Sequence, residues 1–217
     1  MKGAHTIESS PASRRALAII RGEHRSLAAV LWSLEPLIER ADPGTGPDLE
    51  LLSMMVDYIE GFPERCHHPK EDEYLFKAVR ARTHVADELL ETLALEHARG
   101  ERMIHELRHA LALYRVAGET ARPQLASLVA AYATFHWEHM RKEEEVILPL
   151  AQRVLEEEDW KTIEAAFSGN ADPLSPAGAA ATGPYGKLLD LITQQAPDPI
   201  GFGGEGLERA SSRAPSR

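Results

Sequence analysis

Apolar residues recur along the first three quarters of the chain at steps of three and four, the period of a helix that buries one stripe. Leu17, Ile20, His24, Leu27, Leu31, Leu34 and Ile38 trace the first stripe. Asp42-Pro43-Gly44-Thr45-Gly46-Pro47 then ends that helix with a run of turn formers. A second helix starts near Asp48 and turns Leu51, Met55, Tyr58 and Phe62 inward. Gly61, Pro63 and Pro69 disturb it, because proline removes a backbone donor and clashes with the preceding turn. The helix is either kinked there or restarts near Pro69, beyond which Glu71, Leu75 and Ala78 resume the inward stripe. A third helix covers about residues 85–116, with Leu90, Leu93, His97, Gly100, Ile104, Leu107, Leu111 and Tyr114 on one face and Gly118 as its stop. Pro123 opens the fourth at its first turn. Its stripe is Leu125, Val129, Tyr132, His136, His139, Glu143, Val146, Leu150 and Val154, with a bend expected at Pro149.

This order predicts an all-α fold, an antiparallel up-down four-helix bundle. A short C-terminal helix over residues 156–167, anchored by Trp160 and Phe167, caps it. The bundle domain is expected over residues 14–173, after a flexible N-terminus of residues 1–13. Residues 174–217 are rich in Gly, Pro, Ala and Ser and are expected to be mostly disordered, apart from a short helix at 185–195 that docks through Leu188, Leu189 and Ile192.

The stripes are interrupted by histidines, and the interruptions are ordered. His24 and His97 each occupy a core position and each follow a glutamate, Glu23 and Glu96. The next helix in each half carries His-x-x-x-Glu: His67 with Glu71, and His139 with Glu143. A His and a Glu four residues apart share one helix face and can bind one metal ion. Singly, such a pair is ordinary surface polarity, and a lone core histidine is ordinarily satisfied by one hydrogen bond. Together, two halves with matching spacing describe two helical hairpins related by duplication. They bring His24, His67, Glu71, His97, His139 and Glu143 to the midplane of the bundle. Burying two carboxylates without cations costs several kcal/mol each, and metal ions remove that cost. Four imidazoles and two carboxylates exceed the four places of tetrahedral zinc and suit two carboxylate-bridged ions, for which iron is expected. His68-x-x-x-Asp72 is a competing pair, one residue out of register. His136, one turn before His139, is placed to support a ligand. Tyr58 and Tyr132 read as core tyrosines, Cys66 as a small core residue, and His105 and His109 as surface.

Composition narrows the function classes. The chain has 217 residues and a net charge of −10, with 43% hydrophobic and 27% charged residues. That acidic balance offers no basic face for nucleic acid. A single cysteine excludes an internal disulfide and suits a reducing compartment. No apolar run reaches the length of a membrane span and no secretory leader is evident, so a cytoplasmic, soluble protein without membrane partners is expected.

The pattern of His24, His67-x-x-x-Glu71, His97 and His139-x-x-x-Glu143 resembles the hemerythrin-like HHE cation-binding family. So do the phrases His67-His68-Pro69-Lys70-Glu71-Asp72 and His139-Met140-Arg141-Lys142-Glu143-Glu144-Glu145. The likeness extends over about residues 14–173, including Asp159-Trp160 and Asp172-Pro173-Leu174. It implies a non-haem di-iron centre that binds or senses dioxygen, nitric oxide or peroxide, with iron and oxidative-stress handling among the roles in the family. The chain departs from animal hemerythrin in two places. Glu101 stands where the third helix there has a second histidine, and Glu143, four residues after its His, replaces an Asp five residues after. Glu101 is expected to close the open position on one iron, while small Ala28, four residues after His24, leaves the other open to dioxygen, peroxide or azide. A di-iron oxidase or peroxidase is the alternative; ferritin-like enzymes use Glu-x-x-His instead. Whether the protein is an enzyme stays open at this level. A metal-free helical module is the third reading, which metal analysis would separate from the others.

Overall fold

A computed structural model describes residues 10–39, 46–175 and 188. Every regular element among them is helical. Helix α1 is Pro11–Glu39. It therefore begins inside the segment expected to be loose, with Ala12 and Ser13 already buried. Helix α2 is a long rod that continues through both prolines. It is assembled from Leu49–Gly61, Pro63–His67, His68–Lys70, Glu71–Phe76 and Lys77–Arg82. Asp48 caps it, its carboxylate accepting from the amides of Glu50 and Leu51. Helix α3 is Asp87–Ala117. Gly118, at φ 62°, turns the chain into the 3₁₀ turn Gly118–Ala121 and then into helix α4, which is Arg122–Lys142 continued by Glu143–Ile147 and Leu148–Val154. Helix α5, Glu157–Ser168, starts with a reciprocal cap between Glu156 and Asp159.

The four long helices pack around a common interior, and α5 lies on α1. The expected disturbance of α2 takes the form of two π-helical segments, Pro63–His67 and Glu71–Phe76. In the first of these, the amide of His68 bonds the carbonyl of Pro63, five residues back. The wider turn absorbs the donor that Pro69 lacks without breaking the rod. Helix α4 repeats the device at Glu143–Ile147, just before Pro149, where the amide of Leu148 reaches Glu143. Both His-x-x-x-Glu pairs thus border or enter a π segment.

The core is in two pieces. One apolar cluster joins Leu27, Leu31, Leu34, Met55, Ile59, Ile104, Tyr132 and their neighbours. The other joins Ile20, Leu75, Phe76, Leu90, Leu93, Ile147, Trp160, Ile163 and Phe167. Between them lie the buried polar side chains Glu23, His24, His67, His68, Glu71, His97, His136, His139 and Glu143. Beyond α5, the hydroxyl of Tyr58 donates to Asp172, whose carboxylate also accepts from the amide of Leu174. Leu188 is helical and buried in the first cluster. The rest of the helix expected at 185–195, residues 1–9, most of the turn expected after α1, and the remainder of the tail lie outside the described residues. No helix among the described residues is long and apolar enough to cross a membrane.

Helix α5 closes the second cluster, with the Phe167 ring edge-on to His67 at 5.8 Å between centroids. Phe167→Ala, which empties a fully buried position, is expected to cost about 3–5 kcal/mol, read as a lower urea midpoint at unchanged slope. A loss below about 1 kcal/mol would show that α5 is not an integral part of the core.

Candidate metal centre

Helix α1 delivers His24; α2 delivers His67, His68 and Glu71; α3 delivers His97; and α4 delivers His139 and Glu143. Glu71 and Glu143 stand at the middle. Glu71 Oε1 lies 3.3 Å from His67 Nε2 and 3.5 Å from His24 Nε2, and its Oε2 lies 3.5 Å from His97 Nε2. Glu143 mirrors it, with Oε2 3.5 Å from His24 Nε2, and Oε1 3.1 Å from His139 Nε2 and 3.6 Å from His97 Nε2. Each carboxylate thus turns one oxygen to the His24/His67 pair and the other to the His97/His139 pair. His24, His67 and Glu71 bring ligand atoms within 4.8 Å of one another, and so do His68, Glu71, His97 and His139.

Around this centre the histidines are held from behind. His67 Nδ1 is 2.7 Å from Glu23, His24 Nδ1 is 2.9 Å from Glu144, and His139 Nδ1 is 3.0 Å from Glu96. His97 Nδ1 lies 3.1 Å from Asp72 in an off-line contact. A carboxylate on Nδ1 fixes the tautomer that leaves the Nε2 lone pair facing inward, the arrangement metal-ligating histidines use. The bracing follows the duplication crosswise. The glutamate before His24 holds His67, and the glutamate before His97 holds His139. The acid after Glu71 holds His97, and the acid after Glu143 holds His24. Three of these carboxylates are themselves engaged: Arg21 donates to Glu144, Lys142 to Glu96, and Asn170 to Glu23 at 3.1 Å.

The electrostatics without metal are those of a trap for cations. Burial opposes charge on every group, yet the imidazoles and carboxylates overcome it by sharing protons. His97, beside Asp72, Glu143 and Glu71, is pushed up to about 12, and His67, facing Glu71 and Glu23, to about 9. His24 is raised as well, through Glu144 and Glu71, and His139 through Glu143. Burial and Glu71 push Glu143 up, but His139 and His97 carry it down to about 2, and Glu71 is held well below the usual carboxylate range by His67 and its neighbours. His68 goes the other way. Burial and the His97 charge stacked 4.4 Å from it lower it to about 4. None of the four central carboxylate oxygens accepts an aligned hydrogen bond from the described residues, nor do His24 Nε2 and His67 Nε2 make one. Six polar atoms in one buried cavity without directional partners are what a pair of metal ions would satisfy.

Several expected roles shift. Glu101 is exposed and enters neither ligand group; the buried stripe of α3 steps from His97 to Gly100, and residue 101 falls beyond its edge. A Cβ at Gly100 would lie 3.1 Å from Glu64 Oε1 and 3.2 Å from His136, so side chains from α2 and α4 fill the space opposite. His67 and His68 were alternatives in sequence, but both point inward. Asp72 backs His97 instead of pairing with His68 as a ligand. His136 is buried with both ring nitrogens unbonded, so it does not brace His139. Tyr132 is a core residue whose hydroxyl donates to Glu64, and Ala28 is packed in the core. Cys66 is half-buried against the first cluster, and His105 and His109 are exposed. In sequence Asp72 figures only as a competing partner of His68, and Glu144 only within the phrase His139–Glu145; each directly follows a central glutamate, and in the fold they stand behind His97 and His24.

No curated protein matches the chain. The family model of the hemerythrin HHE cation-binding domain matches residues 15–151, a span that begins inside α1, ends in the last turn of α4 and contains every histidine and glutamate of the centre. Fold, duplicated ligand pattern and family match agree: the chain belongs to the hemerythrin HHE cation-binding domain family.

Proposed function

We propose that the centre holds two iron ions and that the protein binds or senses a small oxidant or diatomic ligand: dioxygen, nitric oxide or peroxide. The observation that carries this reading is the disposition of Glu71 and Glu143, fully buried, each with one oxygen toward either histidine pair. His24 and His67 would hold one ion, His97 and His139 the other, and the two carboxylates would serve both. Iron supplies there the redox chemistry and the exchangeable coordination that engage such ligands.

The protein's own part is to keep that site dry and preset. Trp160, Phe167 and the rest of the second cluster exclude water on one side, and Leu31, Met55 and Ile104 do so on the other. Glu23, Glu96, Asp72 and Glu144 hold the imidazoles with Nε2 forward, so little reorganisation accompanies ion entry. An oxidase or peroxidase remains the second reading, separated from the first by turnover of peroxide or of a small reductant. A cytoplasmic setting is proposed with it, on the single Cys66 and the absence of a spanning helix among the described residues.

Purified from iron-replete cells or reconstituted with ferrous iron, the protein is expected to carry two irons per chain; a single zinc, or no iron after reconstitution, would sink the reading. Glu71→Ala, which removes an oxygen from both ions, is expected to abolish stoichiometric binding, whereas Glu101→Ala should leave it unchanged.

The metal-free protein should also show a defined pH response. His67 and His97 are raised in the fold, so the stability they lend is complete below the unfolded histidine pKa of about 6.5. It is lost as pH climbs, for His67 through about 9. Glu143, lowered to about 2, contributes above the ordinary glutamate range and fails only in strong acid. Melting temperature without metal should therefore fall between about pH 6.5 and 9, each kcal/mol lost lowering it by about 2–4 °C. Iron replaces the protons on these nitrogens, so loading should release protons and flatten that decline. A metal-free curve that is already flat across this range would contradict the proton-sharing described for the site.

A further inference from the structure

The duplication pairs residues 64, 67, 68, 71 and 72 of α2 with 136, 139, 140, 143 and 144 of α4, and at two positions the halves disagree. Where α2 has Glu64 and His68, α4 has His136 and Met140. His68 is buried to the same degree as His67, each 3% exposed. Its Nδ1 lies 3.1 Å from Glu64 Oε2, and Glu64 is in turn held by the Tyr132 hydroxyl at 3.0 Å. The four histidines of the duplicated pattern are placed alike, each with one carboxylate beside Nδ1 and with Nε2 turned to the centre, where those of His97 and His139 lie 3.0 Å apart. His68 belongs to the ligand group of His97, His139 and Glu71, stacked face to face on His97. His136, equally buried, has no such carboxylate bond and joins neither group.

We infer that His68 is itself a metal ligand, the third imidazole on the ion held by His97 and His139, in the place assigned above to Glu101. The inference rests on the two-ion reading of this site. Helix α2 can supply it because two consecutive side chains, His67 and His68, are both buried in the interior where the π segment Pro63–His67 ends. Helix α3 makes room for the bracing acid by presenting Gly100 opposite Glu64. The ions then differ. One has three imidazoles and two carboxylates, and the other has two of each. Met140, at the register position of His68 in the second half, has no nitrogen to equalise them and offers a soft thioether that suits iron of this kind poorly. The exchangeable position accordingly falls on the ion of His24 and His67.

The test uses the whole chain loaded with two ferrous ions. His68→Leu keeps the volume and removes the nitrogen. With unchanged helical circular dichroism, it is expected to surrender one iron of the two to a ferrous chelator about 10- to 100-fold faster than the wild type. A folded His68→Leu that holds both irons as tightly as the wild type overturns the inference. Anomalous diffraction from wild-type crystals decides it independently, should that variant fail to fold. Two iron peaks with His68 Nε2 bonded to the one beside His139 support the assignment. Two peaks with His68 bonded to neither, or with Glu101 in its place, overturn this inference alone, whereas wild-type crystals without iron in the cavity overturn the two-iron reading along with it.

Discussion

Everything in this protein is arranged around two carboxylates that the fold takes out of water. Glu71 and Glu143 are fully buried, and none of their oxygens accepts an aligned hydrogen bond from the described residues. Left alone, such groups would cost several kcal/mol each. The surrounding imidazoles offset part of that cost by holding protons well above the ordinary histidine range. The remainder is a standing preference for cations, which explains why a polar belt can persist between two apolar clusters. The bundle is rigid enough to impose this because each cluster is closed by large side chains, Tyr58 and Tyr132 on one side and Phe76 and Phe167 on the other.

Internal duplication supplies the geometry cheaply. Each helical hairpin contributes one lone histidine and one His-x-x-x-Glu pair, and each half braces histidines of both halves. Glu96, for example, sits beside the α3 histidine in sequence but holds the α4 histidine in space. The neighbouring residue of a ligand points a third of a turn away from it, toward the adjoining helix, and this is where an acid can reach a ligand's outer nitrogen. Such crossed bracing ties the four helices together through the site as well as through the core. Any loss of one bracing acid would loosen a histidine on another helix.

The departures from two-fold likeness lie where backbone irregularity concentrates. Both hairpins place proline near the site, Pro69 and Pro149, and both answer with a π-helical turn. Only α2 has a π segment on either side of its proline, and only there do two consecutive histidines reach the interior. A π turn shifts the facing of every later side chain, so one helix can serve a metal group from two adjacent positions.

Periodicity determined the four long helices, because apolar stripes of period 3.6 leave few ways to bury their faces. The nearly equal spacings of His24 to His67 and of His97 to His139, 43 and 42 residues, determined the two-fold plan of the central histidines and glutamates. What the sequence left undecided is local facing. The irregularity at Pro69 left His67 and His68 as alternatives in sequence; in the fold both are buried. Glu101 shared a nominal face with His97 at a spacing of four, yet it lies exposed, because the tertiary packing of Glu64 and His136 against Gly100 places the inward line one residue earlier. The acids Asp72 and Glu144 carried no signal as partners, since their roles depend on which helix stands beside them. Facing within a turn and contact across helices are set by packing among four rods, and no single rod's pattern contains that information.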